Sequence, residues 1–307
     1  MQREIRIGTR SSKLALWQSN WVSDQIQKKF PSIKVTLVPI KTTGDKILDV
    51  SLSKIGGKGL FIKEIEDNLL EDKVDLAVHS LKDMPALLPE GLILAAHPPR
   101  EDPRDALVSR KGILFKNLPK GAVVGTSSLR RSCQLKAQRR DLNYKDLRGN
   151  VDTRLKKLKE GEFDAVILAA AGLKRLSLGG GITEYLDLIP SVGQGALGIE
   201  IRADDTEVKN IVSFLDHPQT RASVSVERAF LKEMEAGCQV PLGCHARFEG
   251  EKMHIESFLS DVEGETFFRR VDTVLPKEGV ACAVSMAREI LSLGGREILE
   301  KLQFPPT

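Results

Sequence analysis

The sequence predicts an α/β fold in two lobes, with a smaller α+β domain at the C-terminal end. Three observations carry this expectation. Strand-like apolar segments alternate with helix-spaced segments through the first two thirds of the chain, the pattern of mostly parallel sheets flanked by helices. After about His217-Pro218 the pattern becomes one helix, three alternating segments and a second helix. A length of 307 residues suits two domains of ordinary size or three small ones.

The elements follow in order. Residues 4–8 alternate as a short strand. Leu14, Trp17, Trp21, Val22 and Ile26 recur at helical spacing, so 13–29 is an amphipathic helix that Pro31 ends. Residues 33–40 alternate again. Residues 41–59 are rich in Lys and Gly and form a long loop, a length more often met in functional lids than in plain connections. A helix over 60–72 and a buried strand over 74–78 come next. A strand at 122–125 runs straight into Thr126-Ser127-Ser128-Leu129-Arg130-Arg131, where the serines are natural N-caps for a helix through Arg139. A helix over 151–160, a strand over 164–169 and a strand over 196–202 complete the α/β part. The remainder reads as a helix over 221–235, strands over 245–248, 253–259 and 266–274, and a helix over 280–293. Two stiff crossings, His97-Pro98-Pro99-Arg100-Glu101-Asp102-Pro103 and 191–195, divide the lobes.

Composition removes several functions. Lys and Arg total 46 against 42 Asp and Glu, and aromatic residues are 5%, so neither a strong positive field nor base-stacking platforms favour nucleic acid. The longest apolar run, 165–173, is far too short to span a bilayer, and the first residues lack the apolar stretch of a signal peptide. Four scattered cysteines are too few for a disulfide framework. The expectation is a cytoplasmic protein that binds neither membrane nor nucleic acid.

Cations at element ends are the strongest chemical signal. Arg10 follows the first strand, and Lys82 and Asp83 follow the strand at 74–78. Arg130 and Arg131 open a helix entered from a strand, and Arg148 and Arg154 bracket the loop at Gly149. In a parallel sheet the carboxyl ends of the strands share one edge, where ligands bind. A helix N-terminus does not favour a cation, so Arg placed there points to an anionic ligand, which guanidinium pairs with bidentately. Asp83 is the acid within this set. Neighbouring positive charge keeps a carboxylate ionised, able to stabilise a developing cation or accept a proton. As single residues, each of these also fits an ordinary surface charge or salt bridge.

Cys238 lies in a Gly/Pro loop, Gly237-Cys238-Gln239-Val240-Pro241, which suits an accessible thiol acting as anchor or nucleophile. Cys244-His245 lacks a second ligand pair, so no metal is expected. Gly193-Gln194-Gly195-Ala196-Leu197-Gly198 matches a dinucleotide fingerprint in letters alone, because a strand rather than a helix follows it. His79, flanked by apolar residues, reads as a structural histidine.

Taken together, these segments resemble the porphobilinogen deaminase (hydroxymethylbilane synthase) family. The matching stretches are Gly8-Thr9-Arg10, Leu14-Ala15-Leu16-Trp17-Gln18, Gly56-Gly57-Lys58-Gly59, Val78-His79-Ser80-Leu81-Lys82-Asp83 and Arg100-Glu101-Asp102-Pro103-Arg104-Asp105-Ala106. They continue with Gly125-Thr126-Ser127-Ser128-Leu129-Arg130-Arg131, Leu147-Arg148-Gly149-Asn150-Val151-Asp152-Thr153-Arg154 and Gly237-Cys238-Gln239. They run in order along nearly the whole chain.

The resemblance implies two lobes related to the type II periplasmic binding proteins. Lobe one would be 1–98 completed by 196–216, lobe two 99–195, and the C-terminal α+β domain 217–307. It implies a dipyrromethane cofactor held through a thioether to Cys238, and four porphobilinogen units added one at a time with loss of ammonia. Hydrolysis then releases hydroxymethylbilane for porphyrin synthesis. By the same resemblance Arg10, Ser12, Lys58, Lys82, Thr126, Ser128, Arg130, Arg131, Arg148 and Arg154 hold the ligand carboxylates. Asp83 would be catalytic, the 41–59 loop with Lys58 a lid, and the enzyme a monomer. Cys244 is an extra thiol beside Cys238. The alternative is a non-catalytic carboxylate-binding protein on the same two-lobed scaffold, with a nucleic-acid binder a distant third.

Overall fold

The computed structural model describes residues 4–46, 62–237 and 239–303. The chain forms two compact units. The first comprises residues 1–101 and 195–221, the second 102–194 and 222–307.

Unit one is built on a five-stranded sheet. Its strands are β1 (Glu4–Thr9), β2 (Lys34–Pro39), β3 (Leu76–Ser80), β4 (Leu92–Ala96) and a late arrival, Leu197–Arg202, here β10. Their order is β2-β1-β3-β10-β4. β1 is parallel to β2 and β3, whereas β10 is antiparallel to both β3 and β4. The sheet is therefore mixed, and the expectation of mostly parallel pairing is corrected. A strand that re-enters from beyond residue 195 runs opposite to its neighbours. Residues Leu197 to Ile201 are all buried, as a central strand covered on both faces requires. Helix α1 (Lys13–Lys29) covers one face through Val22 and Ile26, which pack with Ile5, Ile7 and Leu76. Its Ser12 cap accepts a hydrogen bond from the Ala15 N–H at 3.3 Å, and Lys28 and Lys29 in the last turn suit the dipole. Helix α2 (Lys63–Leu70) covers another part of the sheet through Ile65 and Leu69.

Unit two repeats the plan. Its strands are β5 (Asp105–Ser109), β6 (Val123–Gly125), β7 (Asn143–Lys145), β8 (Ala165–Ala169) and β9 (Glu184–Leu186), in the order β7-β6-β8-β5-β9. β6 is parallel to β7 and β8, and β5 is the reversed strand, antiparallel to β8 and β9. Helix α3 (Leu129–Gln138) follows β6, and helix α4 (Val151–Lys159) follows β7.

The same unit holds a three-stranded antiparallel meander of β11 (Leu242–Glu249), β12 (Lys252–Ser260) and β13 (Phe267–Val274). Helix α5 (Pro218–Glu233) precedes it and helix α6 (Gly279–Ile290) follows it. Phe258 of β12 packs with Cys133 of α3 and with Ile189, so the meander meets α3 and the segment after β9 in a small apolar seam.

Several short elements escape the sequence pattern: β4, β5, β7 and β9. β7 and β9 have three residues each, too few to show a period. The serine caps of α3 are also corrected. Ser128 occupies the N-cap position but makes no side-chain cap bond. Ser127 instead donates its hydroxyl to the Leu147 carbonyl at 2.9 Å and accepts from the Leu147 N–H at 3.0 Å, tying the β6 exit to the β7 exit. The Gly193–Gly198 letters lead into β10, a strand, which removes the dinucleotide fingerprint.

Candidate functional site

In unit one, β1 and β3 lie side by side and parallel, with Gly8 opposite Ala77. Their carboxyl ends therefore share an edge. Arg10 and Ser12 follow β1 there, and the 3-10 turn Leu81–Asp83 follows β3. Leu81 anchors that turn: its side chain is buried and its N–H bonds the Ala196 carbonyl at 3.1 Å. Lys82 is half-buried and Asp83 is exposed. The Ser12 hydroxyl accepts the α1 cap bond and retains its O–H donor for other use. Gln18 of α1 donates to the Ser80 hydroxyl at 2.8 Å, fixing the helix against the strand that leads to Asp83.

Beneath this edge lies a buried cluster. His79 Nε2 and Glu200 Oε2 are 2.9 Å apart, which satisfies the histidine as a structural residue. Glu66 is also buried, and burial first, then the Glu200 charge, push its carboxyl up to about 7. Among the described residues, Glu66 Oε1 and Glu200 Oε1 have no hydrogen-bond partner.

In unit two, Thr126 and Ser128 follow β6, and Arg130 and Arg131 lie in the first turn of α3. Thr126 is buried and its hydroxyl accepts from the Ser128 N–H at 3.2 Å. The helix start carries no acidic residue and no side-chain cap. Both arginines are buried and converge on one fully buried carboxylate, Asp105. Arg130 Nη1 donates to Asp105 Oδ2 at 2.7 Å and Nη2 to Oδ1 at 3.1 Å, while Arg131 Nε donates to Oδ1 at 2.8 Å. Arg130 also donates to the Ile189 carbonyl at 2.8 Å, and Arg131 to the Ile167 carbonyl at 3.2 Å. Burial alone would raise the Asp105 pKa, but the Arg130 and Arg131 charges outweigh it and hold the carboxyl well below the usual range.

Asp105 was not among the residues singled out from sequence. A signal was present: an acid opening the apolar run Ala106-Leu107-Val108 must be paired if the strand is buried.

Arg148 and Arg154 flank a turn at Gly149. That residue has φ +105°, and a Cβ there would lie 2.8 Å from Thr153, so only glycine fits. Arg154 Nε closes back onto the Gly149 carbonyl at 2.7 Å. Both arginines are half-buried.

Cys238 and Lys58, with most of the 41–59 loop, lie outside the described residues. The described start of that loop forms a helical turn, Thr43–Lys46, whose Thr43 N–H donates to Glu64 at 2.7 Å. Cys244 is fully buried in β11. Among the described residues no group of His, Cys, Asp and Glu could hold a metal ion, and no helix is long and apolar enough to cross a membrane.

The arrangement suits an acidic ligand. Two guanidiniums converge on one carboxylate beside the uncapped start of α3, where N–H groups favour anions. That donor set fits the acetate and propionate groups of a dipyrromethane.

Comparison with known proteins places these features. Residues 5–210 match the family model described as porphobilinogen deaminase, dipyromethane cofactor binding domain. Residues 222–292 match porphobilinogen deaminase, C-terminal domain. The chain is 50% identical over 303 residues to a porphobilinogen deaminase of Geotalea uraniireducens, covering 98% of this chain and 95% of that one. It is 48% identical over 301 residues to that of Geobacter sulfurreducens, covering 97% and 94%. Among solved structures, a TRAP periplasmic solute binding protein from Desulfovibrio salexigens aligns over 72% of this chain and 74% of its own, with TM-score 0.43 and 11% identity. On the family matches and these relatives, the chain belongs to the porphobilinogen deaminase family.

Proposed function

We propose that this transferase joins four porphobilinogen molecules head to tail, with loss of one ammonia each, and releases hydroxymethylbilane by hydrolysis. Near-full-length identity of about half to named porphobilinogen deaminases is the observation that carries this. It disfavours the non-catalytic binding protein, which the sequence alone left open. When bound, dipyrromethane supplies the pyrrole carbon on which the chain grows, and Cys238 holds it through a thioether.

The chain's own residues then have distinct tasks. Arg130, Arg131, Thr126 and Ser128 at the β6–α3 edge, and Arg148 and Arg154 at the β7–α4 turn, grip acetates and propionates. Arg10, Ser12, Lys58 and Lys82 do the same from unit one. Asp83 faces the reacting pyrrole. As the C–N bond of the porphobilinogen aminomethyl group, protonated as its ammonium, breaks, nitrogen leaves with the bonding pair as neutral ammonia and the positive charge spreads over the ring. The Asp83 carboxylate stabilises that charge and accepts the pyrrole N–H. Its exposed position at the end of a buried strand suits a group that must reach a substrate. The division into lobes 1–98 with 196–216 and 99–195 and a domain 217–307, a monomeric state and a cytoplasmic location belong to the same proposal.

Intact mass spectrometry tests it. Protein made in a porphyrin-producing host is expected to exceed its sequence mass by two pyrrole units, with the adduct on the peptide carrying Cys238. A mass equal to the sequence, or an adduct elsewhere, overturns the assignment.

A further inference from the structure

At the start of α3 two buried guanidiniums meet a single buried carboxylate, Asp105. Arg130 Nη1 and Nη2 and Arg131 Nε all donate to its two oxygens, so one acid fixes both side chains. Arg131 Nη2 also donates to Gln194 Oε1 at 3.5 Å.

The placement of Asp105 follows from the topology. It is the first residue of β5, the reversed strand, and lies opposite Ala169 at the carboxyl end of β8. A strand running the other way would put its last residue there instead. Gln194 completes the cluster: its Nε2 donates to Asp105 Oδ1 at 3.0 Å and to the Pro103 carbonyl at 2.6 Å. Each partner of the carboxylate is therefore itself held by backbone, through Ile189 for Arg130, Ile167 for Arg131 and Pro103 for Gln194.

We propose that Asp105 is a positioning residue, which locks Arg130 and Arg131 into one preformed cradle for a carboxylate of the pyrrole ligand. This rests on the reading of those arginines as carboxylate-binding. Without Asp105 two like charges would splay apart, and the ligand would have to order them on binding. A preformed cradle avoids that cost.

The test measures how fast full-length protein, made in a host unable to make porphobilinogen, gains its two-pyrrole adduct from added porphobilinogen, followed by intact mass. Asp105→Asn is expected to keep the fold, seen by circular dichroism, and to load at least about tenfold more slowly. Arg131→Leu is expected to load slowly as well. The double variant should then slow loading by less than the product of the two single effects, because Asp105 acts through both arginines. Slowing that multiplies in the double variant shows an independent structural role and overturns the proposal. Normal loading of Asp105→Asn with slow loading of Arg131→Leu also overturns it, and leaves the carboxylate-binding reading intact. Normal loading of Arg131→Leu sinks that reading itself. Should Asp105→Asn fail to fold, Gln194→Leu removes a neutral bond to the carboxylate, together with those to the Pro103 carbonyl and Arg131, and leaves both charges of the ion pair in place. About two- to fivefold slower loading is then expected, and unchanged loading counts as refutation.

Discussion

The two five-stranded sheets share one strand order, with the second, first and third parallel strands followed by a reversed strand and an edge strand. They differ in how they treat acids. In unit two the reversed strand begins with Asp105, buried among guanidiniums and held ionised. In unit one the reversed strand begins with Leu197, the edge carboxylate Asp83 is exposed, and the buried acid Glu66 lies near another acid, Glu200, and is pushed towards neutrality. One plan thus yields two guanidiniums locked on a buried carboxylate in one sheet and a carboxylate presented to solvent in the other. Fold alone does not assign these roles; the identity of a few residues at strand ends does.

Three substitutions sharpen that contrast. Arg130→Leu is expected to cost about 3 kcal/mol of folding stability, since it strips a buried carboxylate of its bidentate partner. Urea unfolding measures it, and a loss under about 1 kcal/mol would erase the distinction between the two edges. Asp83→Asn should do the reverse. Stability stays near wild type, while single-turnover ammonia release falls about 100-fold or more, the usual effect of deleting one preorganised charge. Near-normal release would remove Asp83 from the chemistry.

The smallest effect concerns Glu66. Its folded carboxyl titrates near 7, above the ordinary value of 4.5, so the fold prefers the neutral form. Stability is fully present below the ordinary value and declines as pH rises through about 7. Glu66→Gln is therefore expected to exceed wild type by about 1–3 kcal/mol at pH 8 and to match it below about pH 4. A difference that does not vary with pH would show that the Glu66 charge carries no penalty.

Much of this was legible in the sequence, for identifiable reasons. The long helix Lys13–Lys29 and the strands flanking it carry a clear period. The cations at strand ends were visible because Arg in a helix first turn opposes the dipole. Two things were hidden. The direction of β5 and β10 depends on where the chain crosses, which no local period records. The partnership of Asp105 with Arg130 and Arg131 spans more than twenty positions and depends on that direction. The serine caps failed because Ser127 had a better offer from the Leu147 backbone, a competitor remote in sequence.

The reversed strands also impose an order on biosynthesis. β4 ends at Ala96, yet β10, which must slide between β3 and β4, begins only at Leu197. As the polypeptide emerges from the ribosome, the first sheet stays open on a hydrophobic gap while the whole second sheet, from Asp105 to Leu186, is already available to close. The N-terminal sheet is begun first yet completed only after the second sheet, and in the interval its exposed strand edges are where a nascent-chain chaperone would find most to hold.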